Sequence, residues 1–187
     1  SSKGIVEILN PSMMLLEGKG NRISGSCVTC VIEGSRPILT EIQSLTTKTN
    51  FGTPRRAAAG IDYNRLNLLL AVLEKRAGFF IQNMDIYINV VGGLELDETS
   101  IDLAVILSVF SGLTDKPIPD DMVVFGEVGL GGEVRNVVNI DLRLKEIQRL
   151  GFNKVIIPAQ GVKQINPDEY NLEIYSVSNV KQAIHLI

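Results

Sequence analysis

Apolar residues recur at helical spacing between positions 63 and 77, where Leu66, Leu69, Leu70 and Leu73 share one face and Asp62 stands where an N-cap belongs. Ahead of this predicted helix lie two β-rich runs, 28–34 and 38–46, joined by Glu33-Gly34-Ser35-Arg36-Pro37 as a hairpin-like connection. Residues 47–59 are polar and carry Gly52, Pro54 and three alanines, a pattern that predicts a long loop. Residues 84–91 alternate like a strand and end at Gly92-Gly93. A second helix is predicted to begin around Thr99 and to carry Ile101, Ala104, Val105, Leu107 and Phe110 toward Gly112. A proline-containing turn over 115–121 and a nearly continuous apolar strand over 122–128 follow, then a glycine-rich turn over 129–133. Beyond it the pattern predicts a helix over about 141–150 capped by Gly151, strands at 154–157 and 172–177, and a short helix at 180–187. Hairpins in the first half and alternating strands and helices in the second predict a mixed α/β fold, an α+β arrangement of two layers on a mixed sheet.

With 187 residues and 45% hydrophobic content, the chain has the material for one well-packed domain. The apolar stretch from Leu66 to Ile81 is interrupted by Glu74, Lys75 and Arg76, so no run approaches a membrane span. The start, Ser1-Ser2-Lys3-Gly4-Ile5, has no initiator Met and no signal-peptide pattern, and reads as a cut inside a longer chain. A formal net charge of −3 argues against a surface that is basic all round, although it leaves room for a local basic face. Cys27 and Cys30 have C-x-x-C spacing, but an offset of three along a strand puts them on opposite faces, where they cannot share a metal. Buried, reduced thiols are the expectation, and no metal site is predicted.

Two groups of short blocks carry a family resemblance. Asp97-Glu98-Thr99-Ser100-Ile101-Asp102-Leu103-Ala104, followed by an apolar helix, Gly126-Glu127-Val128 and Ile156-Ile157-Pro158, is similar to the proteolytic domain of the Lon protease family. That resemblance implies a Lon proteolytic-domain-like fold of the ribosomal-protein domain-2 kind. It matches the family's serine nucleophile to Ser100, and an ungapped alignment puts Asp141 where the family has its lysine base. The wider wording, including Arg36-Pro37-Ile38-Leu39, Thr53-Pro54-Arg55-Arg56, Gly60-Ile61-Asp62-Tyr63-Asn64-Arg65-Leu66 and Val123-Val124-Phe125-Gly126, resembles the C-terminal domain of the bacterial RadA (Sms) family of recombination and repair proteins. This implies a tail over 1–12 left from a preceding ATPase domain and a Lon-like domain over 13–187. ATP, Mg and Zn would belong to the preceding parts, with no cofactor in this domain. The resemblance further implies a cytoplasmic bacterial protein that forms homo-hexameric rings, binds DNA and works with a strand-exchange recombinase in branch migration.

The chemistry implied at Ser100 is vestigial. A carboxylate in the lysine slot cannot copy a neutral buried amine, because on losing a proton it becomes charged and has no donor for the nucleophile. Lys145 shares a helix face with Asp141 one turn later, and His185 is a lone histidine near the end, so neither is an evident base. The ordinary role for a serine at a helix start is a cap accepting backbone N–H groups. Asp97, Glu98 and Asp102 suit the positive end of a helix dipole, and Asp102 is expected to hold a structural bond and to crowd a substrate chain beside Ser100. Gly129-Leu130-Gly131-Gly132 misses both the P-loop and the G-x-G-x-x-G spacing and reads as a hairpin turn.

The candidate DNA-binding residues are Arg55 and Arg56 in the predicted loop, Arg76 at the end of the first long helix, and Lys145 and Lys154 in the C-terminal third. Residual Ser-Lys peptidase chemistry and a purely structural oligomerisation domain are the alternatives.

Overall fold

The structure, a computed structural model, describes residues 11–18 and 23–187. In chain order the elements are α1 (Pro11–Leu16), β1 (Ser26–Glu33), β2 (Arg36–Lys48), β3 (Arg56–Ala59), α2 (Tyr63–Ala77), β4 (Met84–Val90), α3 (Asp102–Thr114), β5 (Met122–Val124), β6 (Glu127–Val128), β7 (Val134–Arg135), α4 (Ile140–Arg149), β8 (Lys154–Pro158), α5 (Ala159–Val162), β9 (Glu173–Val177) and α6 (Val180–Ile184). The expected tail over 1–12 lies mostly outside the described residues. Its proposed boundary falls inside α1, where the buried Ser12 hydroxyl accepts from the N–H of Leu39 at 2.9 Å.

Seven strands form one mixed sheet in the order β3-β4-β2-β1-β5-β8-β9, and β6 and β7 make a separate two-stranded ribbon. The β1–β2 hairpin is antiparallel, with Glu33 opposite Arg36, whereas β1–β5, β5–β8 and β8–β9 are parallel. Helix α2 is built as its spacing predicts. The Asp62 carboxylate accepts from the N–H of Arg65, and Gly78, at φ 80°, closes the other end by donating to Glu74 and Leu73 carbonyls.

Alternation along the strands divides the interior in two. On one face α2, α3 and α6 pack Leu66, Leu73, Leu103 and Leu107 against Cys27, Ile42, Ile86 and Ile156. On the other, α4 packs Ile140, Leu144 and Ile147 against Cys30, Leu39, Val123 and Val155. Burying each such aliphatic side chain contributes about 1.5–3 kcal/mol. The mixed α/β class stands, but helices cover both faces of the C-terminal half of the sheet, where the sequence pattern suggested two layers. The reason is that β5 and β8 run parallel, and parallel strands are buried on both sides.

Two further expectations are corrected. The stretch 47–59 is not one loop: β2 continues to Lys48, and Arg56–Ala59 form an edge strand parallel to β4, with Arg56 opposite Ile86 and Ala59 opposite Asn89. Short, alanine-rich edge strands carry too little apolar alternation to announce themselves. The apolar run 122–128 is two strands, because the chain leaves the sheet at Phe125-Gly126 to enter the ribbon. A Cβ at Gly126 would lie 2.9 Å from a Val134 methyl, so the crossing is open only to glycine.

The C-x-x-C pair behaves as strand geometry requires: Cys27 belongs to one core and Cys30 to the other, and both thiols are buried. Burial pushes the Cys30 thiol from its ordinary 9.0 up to about 12. Neither thiol should react with a thiol reagent at pH 8 until the chain unfolds. Because the unfolded thiol ionises first, Cys30 leaves stability unchanged below the ordinary thiol value and lowers it as pH climbs from there toward 12. Cys30→Ala should remove that alkaline slope in a urea-midpoint series, and an unchanged slope would show that other groups set it. Among the described residues no helix is long and apolar enough to cross a membrane.

Candidate functional site

Ser100 sits in a 3-10 turn, Thr99–Ile101, that leads directly into α3. The turn is locked to the Gly126 crossing by a pair of backbone bonds: Gly126 N–H donates to Ser100 O at 2.8 Å, and Leu103 N–H donates to Gly126 O at 3.0 Å. The side chain does not cap the helix. It is wholly buried, and its hydroxyl oxygen accepts from Arg143 Nη1 at 3.3 Å.

Arg143 is the residue that sequence reasoning missed in this site. It is fully buried, and its guanidinium donates to Val138 O at 3.0 Å, to Cys30 O and to Glu98 Oε1, with its carbon 5.5 Å from the centre of the Phe125 ring. Glu98 is fixed in turn by the Ile32 N–H, which donates to Oε2 at 2.8 Å. Asp141, assigned to the lysine slot by ungapped alignment, lies instead at the exposed start of α4. It accepts there from Lys145 Nζ at 2.8 Å and from the Tyr170 hydroxyl at 2.5 Å, and these bonds hold its carboxyl below the usual range. The cation facing Ser100 is thus Arg143. One signal for it was present: 140, 143, 144 and 147 share one face of α4, so an arginine stands within the buried stripe.

The chemical consequence is direct. A guanidinium has donors and no acceptor, so Arg143 can hold the Ser100 hydroxyl but cannot take its proton. Lys145 faces away, bound to Asp141. Outside Ser100 opens a cleft of about 570 Å³ bordered by Glu98, Glu127, Asn136, Asn139 and Gln164. Thr99 donates to Glu127 Oε2 at 3.0 Å on its rim.

Asp102 does not border that cleft, contrary to the expectation that it crowds Ser100. Its buried carboxylate turns the other way, accepting from Arg65 Nε at 3.0 Å, from Arg65 Nη2 and from Val128 N–H at 3.0 Å. Burial pushes this carboxyl above its usual range, opposed by the Arg65 fork and the Val128 N–H. The expected structural bond of Asp102 is therefore present, and it clamps α2, α3 and the β6–β7 ribbon together. The glycine-rich segment 129–133 is the tight turn of that ribbon, with Gly129 N–H donating to Glu133 O at 3.0 Å. No group of three or more His, Cys, Asp or Glu able to hold a metal occurs among the described residues.

The five basic candidates do not converge on one face. Arg55 is exposed. Arg56 donates to Arg55 O at 3.1 Å, Ile81 O at 2.9 Å and Met84 O, so it fastens β3 to the turn before β4 and is a structural residue. Arg76 donates from Nε to Leu130 O at 3.2 Å. Lys145 lies on α4, on the opposite side of the sheet from α2 and Arg76. Lys154 starts β8, half-buried.

Residues 63–161 match the family described as subunit ChlI of Mg-chelatase. The chain is 47% identical over 182 residues to the DNA repair protein RadA of Bacillus subtilis, covering 97% of this chain and 40% of that protein. It is 44% identical to the DNA repair protein RadA of Streptococcus pyogenes, covering 100% and 41%, and 42% identical to that of Streptococcus pneumoniae, covering 98% and 43%. The chain thus spans about 40% of the length of these relatives.

Proposed function

This chain belongs to the family described as subunit ChlI of Mg-chelatase and matches the C-terminal part of the bacterial proteins named DNA repair protein RadA, and on that premise we propose that it is a non-proteolytic DNA-repair domain that contacts DNA. The observation that carries the first half is the pairing of Ser100 with Arg143, a donor where a Ser-Lys hydrolase needs a base. Support for the second half comes from the relatives' name and from exposed cations such as Arg55, whose side chain forms no ion pair among the described residues. In this reading six copies assemble into a ring in the bacterial cytoplasm, so that an acidic chain presents repeated basic loops to a shared channel. The ring serves as scaffold for an ATP-driven motor elsewhere in the full-length protein, which extends recombination intermediates by branch migration alongside a strand-exchange recombinase.

The test separates DNA contact from folding. DNA affinity is measured at two salt concentrations for the chain, Arg55→Ala and Arg56→Ala, with thermal unfolding in parallel. Arg55→Ala should weaken binding to every sequence and flatten the log–log salt slope by roughly one unit, with stability unchanged. Arg56→Ala should lower stability by about 1–3 kcal/mol, because the carbonyls of Ile81 and Met84 lose their donor. A chain that binds no DNA would favour a purely structural oligomerisation domain. Peptide cleavage, or fluorophosphonate labelling of Ser100, would overturn the non-proteolytic reading.

A further inference from the structure

The connection between β2 and β3 presents an aromatic ring with no folding role. Phe51 is 95% exposed, in a chain that keeps most of its large apolar side chains inside. The adjoining Gly52, at φ +76°, has nothing within 4 Å of the position a Cβ would occupy, so this loop tip stands clear of the body. Exposed cations flank it: Lys48 ends β2 and Arg55 immediately precedes β3, and neither forms an ion pair among the described residues.

The base of the loop is fixed. Asp85 Oδ1 accepts from Thr49 Oγ1 at 2.8 Å and from Arg55 N–H at 2.8 Å, and Thr49 N–H donates to Asn83 O at 2.8 Å. The Asp85 carboxyl is held below its usual range by the Arg55 N–H and the Thr49 hydroxyl, helped by the charges of Arg55 and Arg56, so one anion sits at the root. Both ends of the loop are therefore anchored to the start of β4. The turn that leads into β4 carries a second exposed ring, Phe80 at 65%.

We propose that segment 48–55 is a contact for single-stranded nucleic acid, with Phe51 stacking on an unpaired base while Lys48 and Arg55 meet the phosphates to either side. Stacking suits the exposed ring because every base has a π face, and a duplex interior offers it none. Flanking cations favour a polyanion over an apolar protein partner. The anchored root presents the ring at little ordering cost. This inference rests on the DNA-binding reading and adds to it the strand state that the loop selects.

The chain contains no Trp, so Phe51→Trp introduces a sole indole as reporter. Oligo-dT and a blunt duplex of equal length are titrated against the chain, Phe51→Trp and Phe51→Ala, with anisotropy for affinity and a thermal midpoint for folding. The indole of Phe51→Trp should be quenched by oligo-dT at the affinity anisotropy reports, and much less by duplex. Phe51→Ala should weaken oligo-dT binding roughly 5- to 150-fold and leave duplex binding and the midpoint unchanged. If Phe51→Ala binds oligo-dT as the parent chain does, the stacking inference fails while the DNA reading stands. A parent chain that binds neither nucleic acid overturns both. A blue shift of the indole with anionic lipid vesicles, without response to oligo-dT, would assign the loop to a membrane surface and overturn the inference.

Discussion

Arg143→Ala is expected to destabilise the chain by about 3–5 kcal/mol, the cost of breaking a buried ion pair by deleting one partner. Arg143 has no exposed surface, and its removal strands the carbonyls of Cys30 and Val138 and the Glu98 carboxylate while opening a void beside Phe125. Lysine should not rescue it. A single ammonium cannot reach Val138 O, Cys30 O and Glu98 from one position as a planar fork does, so Arg143→Lys should keep a large part of the loss. Urea unfolding checks both variants. A loss below about 1 kcal/mol in Arg143→Ala would mean that water or a neighbour satisfies these groups, and that Arg143 does not organise the Ser100 site. By contrast, Ser100→Ala deletes one hydroxyl acceptor of Arg143 and should cost at most about 1–2 kcal/mol.

The second large effect is expected at Arg65, and it carries a pH signature. Arg65→Ala leaves the Asp102 carboxylate in a buried site with the Val128 N–H as its remaining partner, a change worth about 3–5 kcal/mol at neutral pH. Burial already pushes the Asp102 carboxyl up, and losing the guanidinium pushes it further. For an acid whose folded value lies above its unfolded value, the folded state binds the proton more tightly. The penalty of Arg65→Ala relative to the parent chain is therefore smallest below the parent's raised folded value and grows as pH rises from there toward the still higher folded value of the variant. Asp102→Ala, which leaves a partly exposed guanidinium able to reach water, should cost less and show no such dependence. Denaturant midpoints of both variants between pH 3 and 8 test this, and equal, pH-independent losses would contradict it.

Much of the scaffold was legible because it depends on near neighbours. Helix 63–77, its Asp62 cap, the β1–β2 hairpin and the turn at 129–133 follow from spacings of two to four residues, where backbone geometry alone decides which side chains meet. The split of Cys27 and Cys30 between two cores is of the same kind, since a strand turns its side chains over at each step. Family wording placed Ser100 at a helix entry without revealing what stands against it. That pairing spans 43 positions, and it depends on how α4 docks on the sheet; an alignment anchored on two flanking motifs selected Asp141 instead.

The same distinction explains Arg55 and Arg56. Adjacent in sequence, they are equivalent cations to any compositional reading. Pairing of β3 beside β4 directs the Arg56 guanidinium onto carbonyls of the neighbouring turn and leaves the Arg55 side chain outside. The amino-acid sequence by itself determined the class of fold, the elements with strong local periodicity and the kinship. The tertiary structure decided which charges are structural and which remain for a ligand, because a buried charge must find partners wherever packing places them, and those partners come from distant parts of the chain.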